Sequence, residues 1–151
     1  MYEAYCKTPV GFAYIIANDN FVIKVSIRDE EQETAPVTHP LLLEAIKQLN
    51  EYFAGDRKVF DLPLQQPGSD FQQQVWQQLL QIDYGKTITY GQQSNLMKNP
   101  LAIRAIAAAN GKNNLWVIVP CHRVVSRNGD TKYSGGARNK NYLLALESGR
   151  S

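Results

Sequence analysis

Residues 113–125 read NNLWVIVPCHRVV, an apolar run that leads to one cysteine and then directly to a histidine. A continuous apolar run of this kind predicts an interior β-strand. Because Pro120 has no N–H to donate to a neighbouring strand, we predict that the strand ends there and the chain turns. Cys121 would then lie deep in the fold beside His122, a side chain that can move a proton. The stretch therefore indicates either a nucleophile or a structural core cysteine, which is the commoner state of a free cysteine.

The composition is that of a globular protein, with 44% hydrophobic and 20% charged residues in a chain of 151. No stretch approaches the roughly 20 apolar residues of a membrane span. The first residues lack the basic and apolar regions of a signal peptide. Cys6 and Cys121 lie far apart and show no pairing pattern, so we expect a reduced, cytoplasmic protein without membrane contact.

Charge is divided unevenly along the chain. Residues 1–70 contain six Lys and Arg against eleven Asp and Glu, whereas residues 71–151 contain ten against three. A basic C-terminal part predicts a polyanionic partner, although a modest positive excess also occurs on ordinary solvated surfaces.

Residues 1–60 are predicted to form a structural domain of mixed α/β type. Apolar and polar side chains alternate between turn signals in its first half, which predicts an antiparallel meander. Pro40 opens a helix that Gly55 ends. Cys6 and His39 are the soft metal ligands of this region, and two ligands cannot complete a tetrahedral zinc site, so we predict no metal.

Residues 61–70, which contain two prolines and a glycine, are predicted to be a linker to a second domain at residues 71–151. This domain is predicted to open with a helix over residues 71–80, whose glutamines face water. The last predicted helix covers residues 140–146.

Two shorter helices are predicted between them. The first is capped near Thr89 and broken at residues 98–100, and the second runs from about residue 100 to residue 109. A tight break between two short helices is typical of a helix-turn-helix. The predicted fold class is therefore α+β: a small N-terminal antiparallel sheet with a helix, then a mostly helical C-terminal domain with a helix-turn-helix, winged-helix-like DNA-binding unit.

The second of these short helices carries one charge, Arg104, among small side chains. The surrounding alanines are Ala102, Ala105, Ala107, Ala108 and Ala109. Such a surface either packs closely against another helix or inserts Arg104 into a nucleic-acid groove or base stack. Glu147, after the last helix, leaves a similar choice, since it can orient His122 or only be solvated.

These features together resemble the O6-alkylguanine-DNA alkyltransferases, also called the methylated-DNA–protein-cysteine methyltransferases. The resemblance extends from Phe71 to Glu147 and centres on the sequence IVPCHRV at residues 118–124. Further matching motifs are Tyr90-Gly91, Arg104-Ala105, Asn110-Gly111 with Asn113, Tyr133-Ser134-Gly135-Gly136 and Leu143-Leu144-Ala145-Leu146-Glu147. The N-terminal domain resembles the family's variable domain only in its size and strand content.

The resemblance implies a catalytic role for five residues of this chain. Cys121 is the acceptor nucleophile for the alkyl group on guanine O6. His122, linked to Cys121 through a water, acts as the base, and Glu147 orients its imidazole. Tyr90 donates a proton to guanine N3 as the base leaves, and Asn113 anchors the turn between the recognition helix and the active-site strand.

The resemblance also implies contacts with the substrate. Arg104 replaces the flipped nucleotide in the base stack, while Tyr133 and Ser134 line the base pocket, with Ser134 near the O6 atom. The other implied contacts with substrate or DNA are Ala105, Arg123, Gly135 and Trp116.

The implied activity is DNA repair by direct damage reversal. A methyl or other alkyl group moves irreversibly from O6-alkylguanine in double-stranded DNA to Cys121, after nucleotide flipping and without a cofactor. O4-alkylthymine as a second substrate and cooperative assembly on DNA stay open for what is otherwise expected to be a monomer. The implied location is the cytoplasm, in association with the nucleoid, or the nucleus in a eukaryote.

Some residues depart from the family's pattern. Gln93-Ser94 stands where the family usually has an apolar pair, which puts the packing of that helix in question. Trp116 is bulkier than the usual residue, and the loop at residues 129–133 is about one residue shorter. We hypothesise that Trp116 and the short loop narrow the pocket toward methyl and other small groups.

Other functions fit parts of the sequence. An alkyltransferase-like lesion-binding protein lacks the acceptor thiol, so Cys121 speaks against it. A winged-helix transcription regulator explains the helices and the basic charge but gives Cys-His-Arg no purpose. A cysteine hydrolase fits least well, because Cys121 and His122 are adjacent and no oxyanion loop is evident.

Overall fold

An antiparallel meander forms the first part of the chain, as the alternating pattern predicted. The computed structural model describes residues 1–127 and 136–149. The strands are β1 (Tyr2–Thr8), β2 (Gly11–Ala17) and β3 (Val22–Arg28), in the order β1-β2-β3. Because successive side chains point to opposite faces of a strand, alternate residues form the core beneath this sheet. Its fully buried members include Ala13, Ile15, Ala17, Val22 and Val25.

A single helix, α1 (Pro40–Phe53), packs against this sheet. Pro40 is its first residue, where the missing N–H leaves no helical hydrogen bond unmade. His39 Nδ1 accepts a hydrogen bond from the Leu41 N–H at 3.3 Å. Gly55 follows the helix with φ of 82°, a left-handed conformation that suits glycine. The predicted helix is thus confirmed at both ends.

The chain divides into two compact units. The first comprises residues 1–66 together with residues 114–118, and the second comprises residues 67–113 and 119–151. The first unit therefore ends inside the predicted linker, residues 61–70. The sequence did not predict that residues 114–118 belong with the N-terminal unit. They do so through β3, since the Val25 N–H donates to Asn114 O at 2.8 Å.

The helix α2 (Asp70–Leu79) begins the helical part of the second unit. Ser69 Oγ accepts from the Gln72 N–H, and Gln72 Oε1 accepts in return from the Ser69 N–H, a reciprocal cap that fixes the start of the helix. Trp76 is buried on its inner side. A Cβ at Gly68 would lie 2.5 Å from the Trp76 ring, so this approach of chain to ring requires glycine.

The predicted pair of short helices is present as α3 (Tyr90–Leu96) and α4 (Ile103–Gly111). Thr89 caps α3 as predicted, because Thr89 Oγ1 accepts from the Gln92 N–H at 3.1 Å. The start of α4 was predicted too early. Pro100 does not open it; the Ala102 N–H donates to Asn99 O at 3.1 Å in a turn that delays the helix to Ile103.

The remaining elements complete the second unit. The short strands β4 (Ile88–Thr89) and β5 (Val124–Val125) pair in parallel. The last helix, α5 (Ala137–Glu147), begins three residues earlier than predicted. Among residues 1–127 and 136–149, no helix is long and apolar enough to cross a membrane.

The apolar run at residues 114–119 is not the strand that the sequence predicted. One isolated bridge joins Leu115 to Val25, and turns follow. The Ile118 N–H donates to Trp116 O at 2.8 Å, and Val117 has φ of 72°, which together form a γ-turn. A branched residue in this left-handed region costs about 1–3 kcal/mol. Burial of the run was correctly predicted, but periodicity cannot distinguish a buried strand from buried turns.

Candidate active site

Cys121 lies at the first position of a short 3₁₀ turn, Cys121–Arg123, rather than at a strand end. Pro120, with φ of −84° and ψ of 62°, forms an inverse γ-turn in which the Cys121 N–H donates to Val119 O at 2.8 Å. The predicted turn at Pro120 is therefore present. It places Cys121 in a buried position, where the residue is only 7% exposed. The strand predicted to lead to it is absent.

Asn113 connects this turn to the end of α4. Its side-chain Nδ2 donates to the Val119 carbonyl oxygen at 2.9 Å and lies 3.4 Å from Cys121 Sγ. Asn113 is itself buried, so water does not compete for these bonds. The resemblance implied only an anchoring role for Asn113. The geometry adds a donor aimed at the sulfur atom.

The Cys121 thiol is held in its neutral form. Burial raises the pKa of Cys121 to about 11, while the Asn113 hydrogen bond and the positive charge of Lys140 act to lower it. Lys140 lies on α5, is fully buried, and its Nζ donates to Val124 O at 2.7 Å. Burial also lowers the pKa of Lys140. Sulfur therefore has stabilising partners for a negative charge, but needs a base to remove its proton.

A buried histidine–carboxylate pair follows Cys121 directly. His122 Nε2 lies 2.7 Å from Glu147 Oε2, and both side chains are excluded from solvent. A hydrogen bond from Nε2–H to the carboxylate leaves the lone pair on Nδ1, which is the form of imidazole that accepts a proton. The contact that the resemblance implied between Glu147 and His122 is thus present in the structure.

Arg123 binds the carboxylate of Glu147 with two hydrogen bonds. Its Nε donates to Glu147 Oε1 at 2.7 Å, its Nη2 donates to Glu147 Oε2 at 3.0 Å, and its Nη1 donates to Ile82 O at 2.7 Å. A bidentate arginine–carboxylate pair is among the stronger and more directional contacts in proteins. The resemblance grouped Arg123 with the contacts to DNA or substrate. The structure places its guanidinium inside the fold, where it holds Glu147.

Neighbouring charges and burial together determine the protonation states of His122 and Glu147. Burial tends to raise the pKa of Glu147, but hydrogen bonds from His122 and Arg123 outweigh burial and lower it to about 2. Burial lowers the pKa of His122, Glu147 opposes this, and the positive charges of Arg123 and Lys140 reinforce it. Glu147 is therefore ionised and His122 neutral near pH 7, the state in which an imidazole serves as a base.

Tyr90 occupies the first position of α3 and is half-buried. Burial raises the pKa of its hydroxyl, and the negative charge of a Cys121 thiolate raises it further. Tyr90 is thus a protonated acid, close enough to Cys121 for a charge on the sulfur to affect its pKa.

The solvent-facing side of α4 carries Ile103, small side chains and one arginine. Arg104, Ala105 and Ala108 are exposed, whereas Ile106, Ala109 and Asn110 are buried. Trp76 on α2 supports the helix, since its Nε1–H donates to Ala109 O at 2.9 Å. The alanine surface was predicted either to pack against another helix or to face a nucleic acid. Arg104, Ala105 and Ala108 are exposed to solvent and do not pack against another helix.

The polar pair that departs from the family's pattern has its own partners. Gln93 Nε2 donates to Asn110 Oδ1 at 3.0 Å, and Asn110 Nδ2 donates to Gln93 Oε1 at 2.8 Å, so both buried amides are satisfied. Ser94 Oγ donates to Gly91 O at 2.8 Å. The reciprocal amide pair fastens α3 to α4.

Other predicted site residues are placed elsewhere. Trp116 belongs to the first unit and is half-buried. The predicted pocket residues Tyr133, Ser134 and Gly135 lie outside the described residues. In the part of the chain that the structure describes, no group of three or more His, Cys, Asp or Glu side chains could hold a metal ion.

Sequence reasoning missed Lys140. Lysine is rarely buried without a partner, and a lysine before an apolar helix is ordinarily taken as a solvated residue. A usable signal was its spacing, because Lys140, Leu143 and Glu147 recur at three and four residues and so share one helical face.

The second unit thus combines a buried cysteine, a histidine–glutamate pair and two short helices of the helix-turn-helix type, which is the combination that the sequence led us to expect of a DNA-binding protein with a reactive thiol. Two family models match the chain. Residues 70–149 match the model described as "6-O-methylguanine DNA methyltransferase, DNA binding domain", and residues 1–66 match "6-O-methylguanine DNA methyltransferase, ribonuclease-like domain". The chain belongs to the O6-methylguanine DNA methyltransferase family.

Relatives and solved structures agree with this assignment. The constitutive methylated-DNA–protein-cysteine methyltransferase of Bacillus subtilis is 38% identical, over 97% of this chain and 94% of that protein. The Methanosarcina acetivorans methylated-DNA–protein-cysteine methyltransferase is 39% identical, over 97% of this chain and 98% of that protein. The crystal structure of Mycobacterium tuberculosis OGT in complex with DNA superposes with a TM-score of 0.89, at 37% identity, over 100% of this chain and 95% of that one.

Proposed function

We propose that this chain repairs DNA by moving the alkyl group of O6-alkylguanine to its own Cys121. The observation that carries the proposal is the placement of Cys121 Sγ, 3.4 Å from the Asn113 amide and next to the His122–Glu147 pair. A structural cysteine needs neither a hydrogen-bond donor for its sulfur nor a base. Family membership supplies the substrate, since the named relatives act on methylated DNA.

The first step is removal of the thiol proton. A thiol whose pKa is about 11 has almost no thiolate at neutral pH, and the thiolate is the nucleophile. His122 accepts the proton on Nδ1, through a water molecule, while Glu147 stabilises the imidazolium that forms. Asn113 and Lys140 then stabilise the sulfur anion.

In the second step the thiolate attacks the alkyl carbon. A carbon–sulfur bond forms as the bond between that carbon and guanine O6 breaks, and the electron pair of the broken bond moves into the guanine ring. Tyr90 donates a proton to ring nitrogen N3, which makes guanine a better leaving group. The product is a thioether, which has no carbonyl for water to attack. Each protein molecule therefore reacts once.

DNA is the polyanion that the basic C-terminal part predicts. The O6 atom lies within the base stack, so the nucleotide must be extruded at a cost of a few kcal/mol. Arg104 on the exposed side of α4 would fill the gap in the stack, with Ala105 permitting close approach. The substrate is double-stranded DNA, bound by a monomer, and the location is the cytoplasm or the compartment that holds the DNA. Phosphate contacts should make binding sensitive to salt.

Mass measurement after reaction tests the proposal. The protein is incubated with a duplex containing O6-methylguanine, and the intact mass and the peptide that carries Cys121 are measured. We expect a gain of one CH₂ group on Cys121, and no gain in Cys121→Ser, which keeps a similar shape. Retention of the lesion by an unmodified protein would instead identify a lesion-binding protein. Absence of both would contradict the proposal.

The size of the alkyl group is a separate question. Trp116 and the short loop at residues 129–133 support a preference for small groups. Single-turnover rates on O6-methylguanine and O6-benzylguanine duplexes measure this preference, and equal rates would contradict it. Rates on O4-methylthymine duplexes measure whether this second lesion is also a substrate.

A further inference from the structure

The N-terminal sheet has a face that α1 does not cover. On the inner face, Cys6 Sγ lies 3.8 Å from Asn50 Oδ1 of α1. The opposite side chains of β1, β2 and β3 form what we call the outer sheet face. It is defined by Tyr5, Lys7, Phe12, Tyr14, Lys24 and Arg28. None of these six residues is buried.

Aromatic rings and cations are interleaved on the outer sheet face. Tyr5 pairs with Tyr14 across β1 and β2, and their rings stack with centroids 4.8 Å apart. The Arg28 guanidinium lies 4.5 Å from the Tyr14 centroid and 5.6 Å from that of Tyr5. Lys24 Nζ lies 6.0 Å from the Tyr14 centroid. Phe12 stands between Lys7 and Arg28 in the next row of the sheet, and adds a further ring.

The charge of this face opposes that of its surroundings. Residues 1–70 are acidic, with six Lys and Arg against eleven Asp and Glu, yet three of the six cations lie on the outer sheet face. Glu3 is the carboxylate beside them on the outward side of β1, and it accepts a hydrogen bond from the Tyr14 hydroxyl. Within the three strands, Glu3 is the one acidic residue.

We propose that the outer sheet face binds single-stranded nucleic acid. Unpaired bases stack on tyrosine rings and on guanidinium planes, and lysine and arginine beside the rings neutralise the phosphates. A sheet surface suits this use because its side chains, here including three aromatic rings, are regularly spaced along and across the strands. The outer sheet face does not include Cys121 or α4. The proposal that it binds nucleic acid therefore does not depend on the proposed alkyl transfer.

The same observations disfavour other occupants. A second copy docked face to face about a two-fold axis would bring a face with three cations against an identical face, and like charges repel. Duplex DNA would use the cations but would offer the rings no bases, since its bases are already stacked on one another. Only an unpaired strand uses both sets of side chains.

Fluorescence anisotropy of labelled single strands tests the proposal on the full chain. Oligothymidylate and oligouridylate of about 12 nucleotides are suitable probes. A saturating unlabelled short duplex is present throughout to occupy the α4 surface. We expect binding of one or both strands, weakened about tenfold or more by Tyr14→Ala and by Arg28→Gln. Binding of either strand supports the proposal, and their comparison identifies DNA or RNA as the better ligand.

Two variants serve as matched controls. Tyr2 lies on β1, the strand of Tyr5, but its ring stacks on His39 at the N-terminal end of α1, so Tyr2→Ala should leave binding unchanged. Tyr14→Phe keeps the ring and should also bind normally. Alkyl transfer to Cys121 from a short lesion duplex should be unchanged in every variant of the outer sheet face, which also verifies that each variant is folded.

Mapping the bound strand gives a second readout. Photocrosslinking with a strand that contains 4-thiothymidine, followed by peptide mass measurement, should modify peptides of β1, β2 or β3. The proposal is overturned if neither strand binds, or if crosslinks map only to α4 and binding is lost in Arg104→Ala rather than Tyr14→Ala. Self-association that is abolished by Arg28→Gln would overturn it too.

Discussion

The Asn113 amide lies 3.4 Å from Cys121 Sγ and 2.9 Å from the carbonyl oxygen of Val119. One side chain thus holds the backbone that precedes the cysteine and solvates the sulfur. Because Asn113 lies just after α4, it ties the end of that helix to the turn that carries Cys121. Asn113 and the turn at Pro120 therefore both contribute to the orientation of Cys121.

Asn113→Ala should slow alkyl transfer. A hydrogen bond to a charged group contributes roughly 1.5–3 kcal/mol, which corresponds to a decrease of about 10- to 150-fold in the rate. Single-turnover rates on a methylated duplex measure the change. Asn114→Ala is the matched control, because Asn114 is adjacent and exposed. Equal rates for the two variants would show that the amide does not stabilise the thiolate.

Cys121 of the free protein should react slowly with iodoacetamide at neutral pH. Burial raises the pKa of its thiol to about 11, so the thiolate fraction should rise about tenfold for each unit of pH below that value. The rate is measured between pH 7 and pH 10 in a Cys6→Ser background, because Cys6 is the other free cysteine. Lys140→Met should raise the pKa of Cys121 further. A rate that levels off near pH 8 would contradict this picture.

The fold followed from the sequence where local chemistry decides structure. The meander, α1 and the cap of α3 depend on side-chain alternation, on Pro40 and on Thr89, which act within a few residues. The prediction of a strand at residues 114–119 failed because a buried apolar run can also form turns, and no local sequence signal marks Val117 for its positive φ.

In the candidate site, too, the sequence predicted some features and not others. Cys121, His122 and Glu147 were predicted together because the motif that they resemble is specific, and the structure shows His122 in contact with Glu147. The engagement of Arg123 with Glu147 and the burial of Lys140 were not found, because they depend on how α5 packs on the 3₁₀ turn. Periodicity places a residue on a helical face but does not say which backbone carbonyl or carboxylate that face meets.

Arg123→Met should change the pH dependence of alkyl transfer. The positive charge of Arg123 helps to lower the pKa of His122, so its removal should raise that pKa and move the acidic limb of the rate profile to higher pH. Loss of one partner from a buried ion pair also destabilises the fold by about 3–5 kcal/mol. Rates between pH 5 and pH 9 and urea unfolding measure both effects.

Two further variants separate charge from geometry. Arg123→Lys keeps the positive charge but loses the bidentate contact, so its pH profile should stay closer to that of the parent while its stability falls. Arg138 is exposed on α5, and Arg138→Met should alter neither property. An unshifted acidic limb in a folded Arg123→Met protein would limit Arg123 to a structural role.

The amide pair between α3 and α4 should show strong coupling. Gln93→Leu leaves the buried amide of Asn110 unpaired, which costs about 1–3 kcal/mol of unfolding free energy. Asn110→Leu has the same effect on Gln93. The double variant should be less destabilised than the sum of the two, as measured by urea unfolding of all four proteins. Additive losses would mean that each amide has another partner of equal value.

Glu147→Gln should reduce stability at neutral pH and less so in acid. The pKa of Glu147 is lowered from an ordinary 4.5 to about 2, so the folded chain keeps a carboxylate that the unfolded chain protonates first. The stabilisation is complete above pH 4.5 and is lost as the pH falls toward 2. Urea midpoints of the parent and Glu147→Gln should therefore converge between pH 4.5 and pH 2.5. Asp56→Asn, at an exposed carboxylate, is the control, and a gap that stays constant through this range would contradict the ionised state of Glu147.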